Sequence, residues 1–71
     1  MSEYLVIYEK TATGYSAYVP DLPGCISTGP TLEDTRRNMQ EAVEGHLSVM
    51  REFGDPILQP TTMADRIQIP A

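Results

Sequence analysis

The start of the chain alternates short runs of β-forming residues with turn residues. Residues 3–9 place apolar side chains on both alternating faces between acidic ends, a pattern that predicts a strand covered on both sides. Residues 11–14 predict a short hairpin connection, in which Gly14 supplies any positive φ that the turn needs. Residues 15–19 resume the strand pattern and predict the second strand.

A turn rich in proline and glycine interrupts this pattern at residues 20–25. Two prolines and a glycine are incompatible with a regular ladder, so the segment is predicted to be a turn or bulge that changes the direction of the chain. Residues 25–28 predict a short third strand, which ends at Gly29 and Pro30.

The helical period begins after this strand. Residues 32–53 carry no proline and predict one amphipathic helix, with Thr31 as its N-cap, Asp34 at the capping-box position and Gly54 as its left-handed stop. The apolar arc of this helix is predicted to lie on the sheet; it consists of Leu32, Met39, Ala42, Val43, Leu47, Val49, Met50 and Phe53.

The remainder of the chain is divided by prolines. Residues 56–62 predict an irregular connector, and residues 66–69 alternate cleanly enough to predict a fourth, half-exposed strand. The element order is then β-β-β-α-β. This order predicts a two-layer α+β domain over residues 1–71, with one helix on a mainly antiparallel sheet.

Composition narrows the class of protein. The 71 residues, 41% hydrophobic and 21% charged, suit one small globular domain rather than a disordered chain. The formal net charge of −5 argues against binding of phosphate backbones. No apolar run approaches the roughly 20 residues of a membrane span, and the N-terminus lacks signal-peptide features, so a cytoplasmic location is expected. Cys25, the single cysteine, fits a reducing compartment.

The candidate catalytic groups do not form a convincing set. Glu9 and Asp65 are the carboxylates closest to positions that a metal-dependent nuclease would use, and both lie at or beyond strand ends. Cys25 is interpreted as a small buried hydrophobe rather than a nucleophile. His46 projects from the apolar arc of the helix, either as a hydrogen-bonded core residue or as an interface residue whose protonation weakens association in acid.

The four tyrosines could form an aromatic platform on which the bases of single-stranded nucleic acid stack. Such platforms come with a basic groove, whereas Lys10 is the only basic residue in the first three predicted strands. Core and interface packing is therefore the preferred interpretation of Tyr4, Tyr8, Tyr15 and Tyr18.

Several stretches together resemble one known family. Residues 14–25 (GYSAYVPDLPGC), Gly29, residues 31–34 (TLED), the Glu41–Ala42 step and residues 56–60 resemble the HicB-like antitoxins. The resemblance implies a partial ribonuclease-H-like fold without nuclease activity. It also implies a protein that binds and neutralises a small HicA-like toxin, an mRNA interferase resembling double-stranded-RNA-binding domains. Many family members carry a second, DNA-binding domain, for which this chain has no residues left, so no direct DNA binding is expected.

The preferred hypothesis is a non-enzymatic, cofactor-free antitoxin that occludes a basic HicA-like toxin. Its acidic contacts are predicted at Glu3, Glu9, Asp21, Glu41 and Glu44. The alternatives are an orphan binding module of the same fold without a toxin partner, and a residual metal-dependent nuclease.

Self-association is expected because a domain this small buries only about 60% of its unfolded surface. One helix covers one face of the sheet. The other face carries either Leu5 and Ile7 or the set Tyr4, Val6 and Tyr8. A homo-oligomer, either a dimer or a tetramer, is predicted, and residues 66–69 could pair across it. Its interface is predicted at Tyr4, Val6, Tyr8, Tyr18, Ile67 and Ile69.

Overall fold

Three short strands and one long helix form the regular structure of the chain. The computed structural model describes residues 2–70 and contains β1 (Ile7–Lys10), β2 (Tyr15–Tyr18), β3 (Ile26–Gly29) and α1 (Leu32–Glu52). The strands form one antiparallel sheet in the order β1-β2-β3, and α1 packs across β2 and β3. The predicted α+β fold, with one helix on an antiparallel sheet, is confirmed.

The core lies between the helix and one face of the sheet. The strand register aligns Tyr8, Ala17 and Ser27 in a row across the sheet on the helix side, and this alternation selects which side chains are buried. The fully buried apolar residues are Ala17, Val19, Leu22, Cys25 and Met39, surrounded by Tyr4, Val6, Tyr8, Ala42, Val43, Leu47 and Met50. The ends of the predicted apolar arc, Leu32, Val49 and Phe53, are exposed instead.

The turn at residues 20–25 is closed by its own backbone. The amide of Leu22 donates to Val19 O, that of Cys25 to Leu22 O, and that of Val19 to Cys25 O, at 3.0–3.1 Å. Gly24 takes a φ of 84°, which a side chain with Cβ rarely adopts. This turn therefore reverses the chain and also inserts Leu22 and Cys25 into the core.

Two glycines allow the backbone segments to approach closely. A Cβ on Gly29 would lie 2.8 Å from the backbone nitrogen of Thr35, so α1 can approach β3 only because this side chain is absent. The hairpin turn does not use a positive φ at Gly14. A Cβ there would instead overlap Gly29 O and lie 2.8 Å from Pro30 Cα.

Both predicted ends of the helix are confirmed. Thr31 Oγ1 accepts from the amide of Asp34 at 3.0 Å. At the other end, Gly54 has a φ of 71° and the amide of Asp55 donates to Met50 O at 2.8 Å. This pattern is a Schellman cap, which satisfies carbonyls that the helix leaves free.

The predicted fourth strand at residues 66–69 is wrong for the single chain, because residues 55–70 have no regular secondary structure. Their apolar–polar alternation is present, but a strand also needs a neighbouring backbone to pair with. The described part of this segment makes no backbone–backbone hydrogen bond after Asp55. We call residues 63–70 the C-terminal arm.

Candidate partner-binding surface

An open groove runs between the turn at residues 20–25 and the C-terminal half of α1. Its volume is about 790 Å³, and residues 23–26 form one wall. The other wall is the helix, with Ala42, Gly45, Val49 and Met50, and Pro56 also lines the groove. We call this feature the turn–helix groove.

The turn–helix groove exposes apolar surface that the fold does not need. Ile26 is 69% exposed and Val49 is 51% exposed, although both are large aliphatic residues. At Gly45 an added Cβ would meet nothing within 4 Å, so the fold leaves open space above the helix there. Contiguous exposed apolar surface of this kind is typical of interaction sites.

The charged residues of the turn–helix groove all have one sign. Glu41 and Asp55 belong to its lining, and no lysine or arginine does. An apolar floor with an acidic rim is complementary to a partner that is basic and partly apolar.

Cys25 and His46 both line the turn–helix groove. Cys25 is buried, and burial raises the pKa of its thiol, which keeps it protonated and a poor nucleophile. The interpretation of Cys25 as a small core residue is therefore supported. His46 is half-buried, and its side chain makes no hydrogen bond to another described residue. Of the two interpretations of His46, this position favours an interface residue.

The five predicted acidic contacts do not form one cluster. Glu41 alone lines the turn–helix groove. Glu3 and Glu44 are exposed elsewhere, and Glu9 is exposed on β1, at the same side of the strand as Ile7. Asp21 has a structural task instead: its carboxylate accepts from the backbone N–H of Thr62 at 3.0 Å and from the Thr62 hydroxyl at 2.8 Å.

The outer face of the sheet carries an apolar patch that shares Ile26 with the turn–helix groove. Ile7, Tyr18 and Ile26 align directly across the three strands, and Tyr18 and Ile26 are exposed. Of the two alternatives for β1, the structure therefore selects Leu5 and Ile7 as outward-facing.

The predicted oligomer residues divide between two locations. Tyr4, Val6 and Tyr8 pack against the core, which removes the reason for predicting them at an interface. Tyr18, Ile67 and Ile69 are exposed, as an interface role requires.

Within residues 2–70, no group of three or more His, Cys, Asp or Glu side chains is placed to hold a metal ion. Glu9 lies on β1 and Asp65 near the root of the C-terminal arm, where its carboxylate accepts from the amide of Arg66 at 2.7 Å.

The helix of the described chain is not apolar enough to cross a membrane.

Comparison with known protein families shows which family the chain belongs to. Residues 4–71 match the family described as the HicB-like antitoxin of bacterial toxin–antitoxin systems. The chain belongs to the HicB-like antitoxin family. The resemblance predicted from the sequence is confirmed over nearly the whole chain.

Similar proteins include one from a bacterium and one from a phage. The chain is 35% identical over 66 residues to a UPF0150 protein of Thermotoga maritima, covering 92% of this chain and 84% of that protein. It is 34% identical over 67 residues to an uncharacterised 14.9 kDa protein of Haemophilus phage HP1, covering 94% of this chain and 50% of that protein. The chain therefore spans half the length of this phage relative.

A solved structure confirms the fold of this HicB-like chain. A chain of the HicA3 and HicB3 toxin–antitoxin complex matches with a TM-score of 0.68 and 32% identity. The match covers 87% of this chain and 70% of that chain.

The sequence did not reveal the turn–helix groove itself. The sequence pattern predicts residues 23–25 as part of a turn and places Val49 on the apolar arc of the helix. A signal was present at Gly45, a helix-weakening residue in the middle of a long helix without an obvious packing role.

Proposed function

We propose that this HicB-like protein is an antitoxin that binds a small, basic HicA-like mRNA interferase and covers its RNA-binding surface. It acts by occupancy and not by catalysis. The observation that carries the proposal is the turn–helix groove, with its exposed apolar floor, its acidic rim and no basic residue in its lining. Membership of the antitoxin family and the likeness to a toxin–antitoxin complex support the same assignment.

The contact is apolar at its centre and electrostatic at its edge. Ile26 and Val49 supply area to be buried, and Glu41 with Asp55 faces the cationic side chains with which the toxin holds RNA. A surface that binds RNA must be basic, so an acidic antitoxin competes for it directly.

The other predicted acids act at longer range. Glu3, Glu9 and Glu44 are exposed and add to a net charge of −5, which accelerates encounter with a basic partner. We assign Asp21 to holding the chain near Thr62 and not to the toxin contact.

Co-expression with a small basic HicA-like protein, if the neighbouring reading frame encodes one, tests the function. The two proteins are expected to co-purify at low salt, and the toxin is expected to cleave mRNA only when this chain is omitted. Failure to co-purify at low salt, with toxin activity unaffected, would favour the orphan binding module instead.

A pair of helix variants tests the turn–helix groove. Gly45→Arg fills the open space and adds a positive charge beside Glu41 and Asp55, and affinity for the toxin is expected to fall at least about tenfold. Ser48→Arg makes the same charge change at an exposed position of α1 outside the groove, and should bind almost as wild type. Circular dichroism checks that both variants fold. Equal binding by Gly45→Arg and wild type would place the toxin elsewhere.

A further inference from the structure

We infer that Gly45 forms a notch in α1 that receives one long cationic side chain of the toxin, a lysine or an arginine. The aliphatic stem of that side chain lies over Gly45, between Ile26 and Val49, and its charged end reaches Glu41. This contact rests on the proposed function, and it names both the chemistry of the partner's side chain and the residue of α1 that selects it.

Gly45 weakens the helix, and nothing within the described chain requires a glycine there. Glycine in a helix interior is destabilising relative to alanine, because it loses more conformational freedom on folding. Gly45 lies in the middle of α1 and lacks the positive φ that Gly24 and Gly54 adopt. An added Cβ would meet nothing within 4 Å. Neither backbone conformation nor internal packing therefore explains this glycine.

The helical neighbours of Gly45 turn the missing side chain into a notch. Glu41, Gly45 and Val49 are spaced four residues apart, and all three line the turn–helix groove. Side chains at this spacing form one ridge on a helix surface, with successive members about 6 Å apart along the axis. Since Gly45 has no side chain, the ridge is interrupted at its middle position, and this gap opens into the groove.

The two sides of the notch differ in chemistry. Val49 is exposed on one side of it, and Ile26 is exposed on the facing wall of the groove. On the other side lies Glu41, which has no lysine or arginine within 4 Å among the described residues, where the ion pair of α1 joins Arg37 to Asp34 at 2.8 Å. Lysine and arginine bury an aliphatic stem on apolar surface while a charged end stays at its edge. Such a side chain matches both sides of the notch.

Other occupants suit the notch less well. A wholly apolar side chain would cover Glu41 without pairing its charge, and burying an unpaired charge is costly. An acidic side chain would be repelled by Glu41 and by Asp55, the other acid of the groove lining. The surface with which the proposed toxin holds RNA would supply lysines and arginines, because RNA binding draws on them.

Affinity and stability measured on the same variants test the notch. Gly45→Ala should raise the midpoint of urea unfolding, since alanine favours the helix, and should lower affinity for the toxin about tenfold, since the methyl group takes the place of the stem. Ser48→Ala, at an exposed position of α1 outside the groove, should leave the affinity unchanged. Equal toxin affinity for Gly45→Ala and wild type would overturn the inference alone. Absence of toxin binding by wild type would overturn the proposed function and this contact with it.

A double-mutant cycle across the interface tests whether one toxin side chain fills the notch. Glu41→Gln should lower the affinity and its dependence on salt concentration. Glu44→Gln removes an exposed carboxylate of α1 outside the groove and should have a much smaller effect. When the lysines and arginines of the toxin are changed to alanine one at a time, one variant should become insensitive to both Gly45→Ala and Glu41→Gln, because it lacks the side chain that both positions contact. If every toxin variant stays sensitive to Gly45→Ala, no single cationic side chain occupies the notch and the inference is wrong.

Discussion

The turn at residues 20–25 and the segment at residues 55–70 both contain prolines and neither forms a helix or strand, yet they differ in every other respect. The turn closes on itself through three backbone hydrogen bonds and buries Leu22. The later segment is held by side chains: Tyr4 Oη donates to Leu58 O at 3.3 Å, and Thr62 donates to Asp21. Proline therefore does not decide how an irregular segment is held to the fold. In the turn at residues 20–25, backbone hydrogen bonds over short separations and the burial of Leu22 hold the segment.

The largest expected effect comes from matched leucines in the two regions. Leu22→Ala removes a side chain that is 2% exposed and is expected to lower the free energy of unfolding by about 2–5 kcal/mol. A domain of this size has only a few kcal/mol to lose, so the variant should be largely unfolded at 37 °C. Urea denaturation followed by circular dichroism measures the change.

Leu58→Ala is the control for this prediction. Leu58 is 75% exposed, and its truncation should change the free energy of unfolding by less than about 0.5 kcal/mol. Similar losses for the two variants would mean that the segment at residues 55–70 is as much a part of the folded core as the turn.

The next effect tests the close approach of α1 to β3. Gly29→Ala places a methyl group 2.8 Å from the backbone nitrogen of Thr35, which cannot move away as a flexible side chain would. The helix must shift outward, at an expected loss of about 1–3 kcal/mol in the free energy of unfolding. Thermal unfolding measures this loss of stability. A melting temperature equal to that of wild type would show that the close contact between Gly29 and Thr35 relaxes freely.

Local signals in the sequence predicted the three strands and the helix well, and residues 55–70 poorly. Thr31 and Gly54 mark the helix ends because capping depends on neighbouring residues alone. The fourth strand failed because the pairing of residues 66–69 depends on a distant backbone, which the single chain does not supply. Alternation shows that a segment suits a sheet and not that a sheet receives it.

The candidate surface was predictable only in part. The acidic charge and the turn motif were visible in the sequence. The grouping of Glu41 and Asp55 with Ile26 depends on how the turn meets the helix. Asp21 was assigned to a partner because its contact with Thr62, which lies 41 residues away, leaves no mark in the sequence.

A smaller effect of opposite sign is expected at Gly45. Gly45→Ala adds a methyl group into open space and removes the entropic penalty of glycine in a helix, so the free energy of unfolding should rise by about 0.5–1 kcal/mol. The variant thus sharpens the contrast with Gly29, where the same methyl group destabilises. Chemical denaturation of the two variants side by side gives the comparison, and destabilisation by Gly45→Ala would show that the turn–helix groove is closed in solution.

The smallest effect concerns the contact that links the two regions. Hydrogen bonds from the backbone N–H of Thr62, and next from its hydroxyl, lower the pKa of Asp21 below its ordinary value of 3.8. Since the pKa is lower in the folded protein, the stabilisation from this contact is fully present above about pH 3.8 and is lost as the pH falls through the folded pKa. The Thr62 amide resonance in NMR should therefore titrate below that value. Asp21→Asn should abolish this titration and leave the melting temperature nearly unchanged, because the contact is exposed.

Asp65→Asn, which removes a carboxylate bonded only to the neighbouring Arg66 amide, should leave the Thr62 resonance as in wild type. If Asp21→Asn leaves the Thr62 titration intact, another group holds this segment against the folded body.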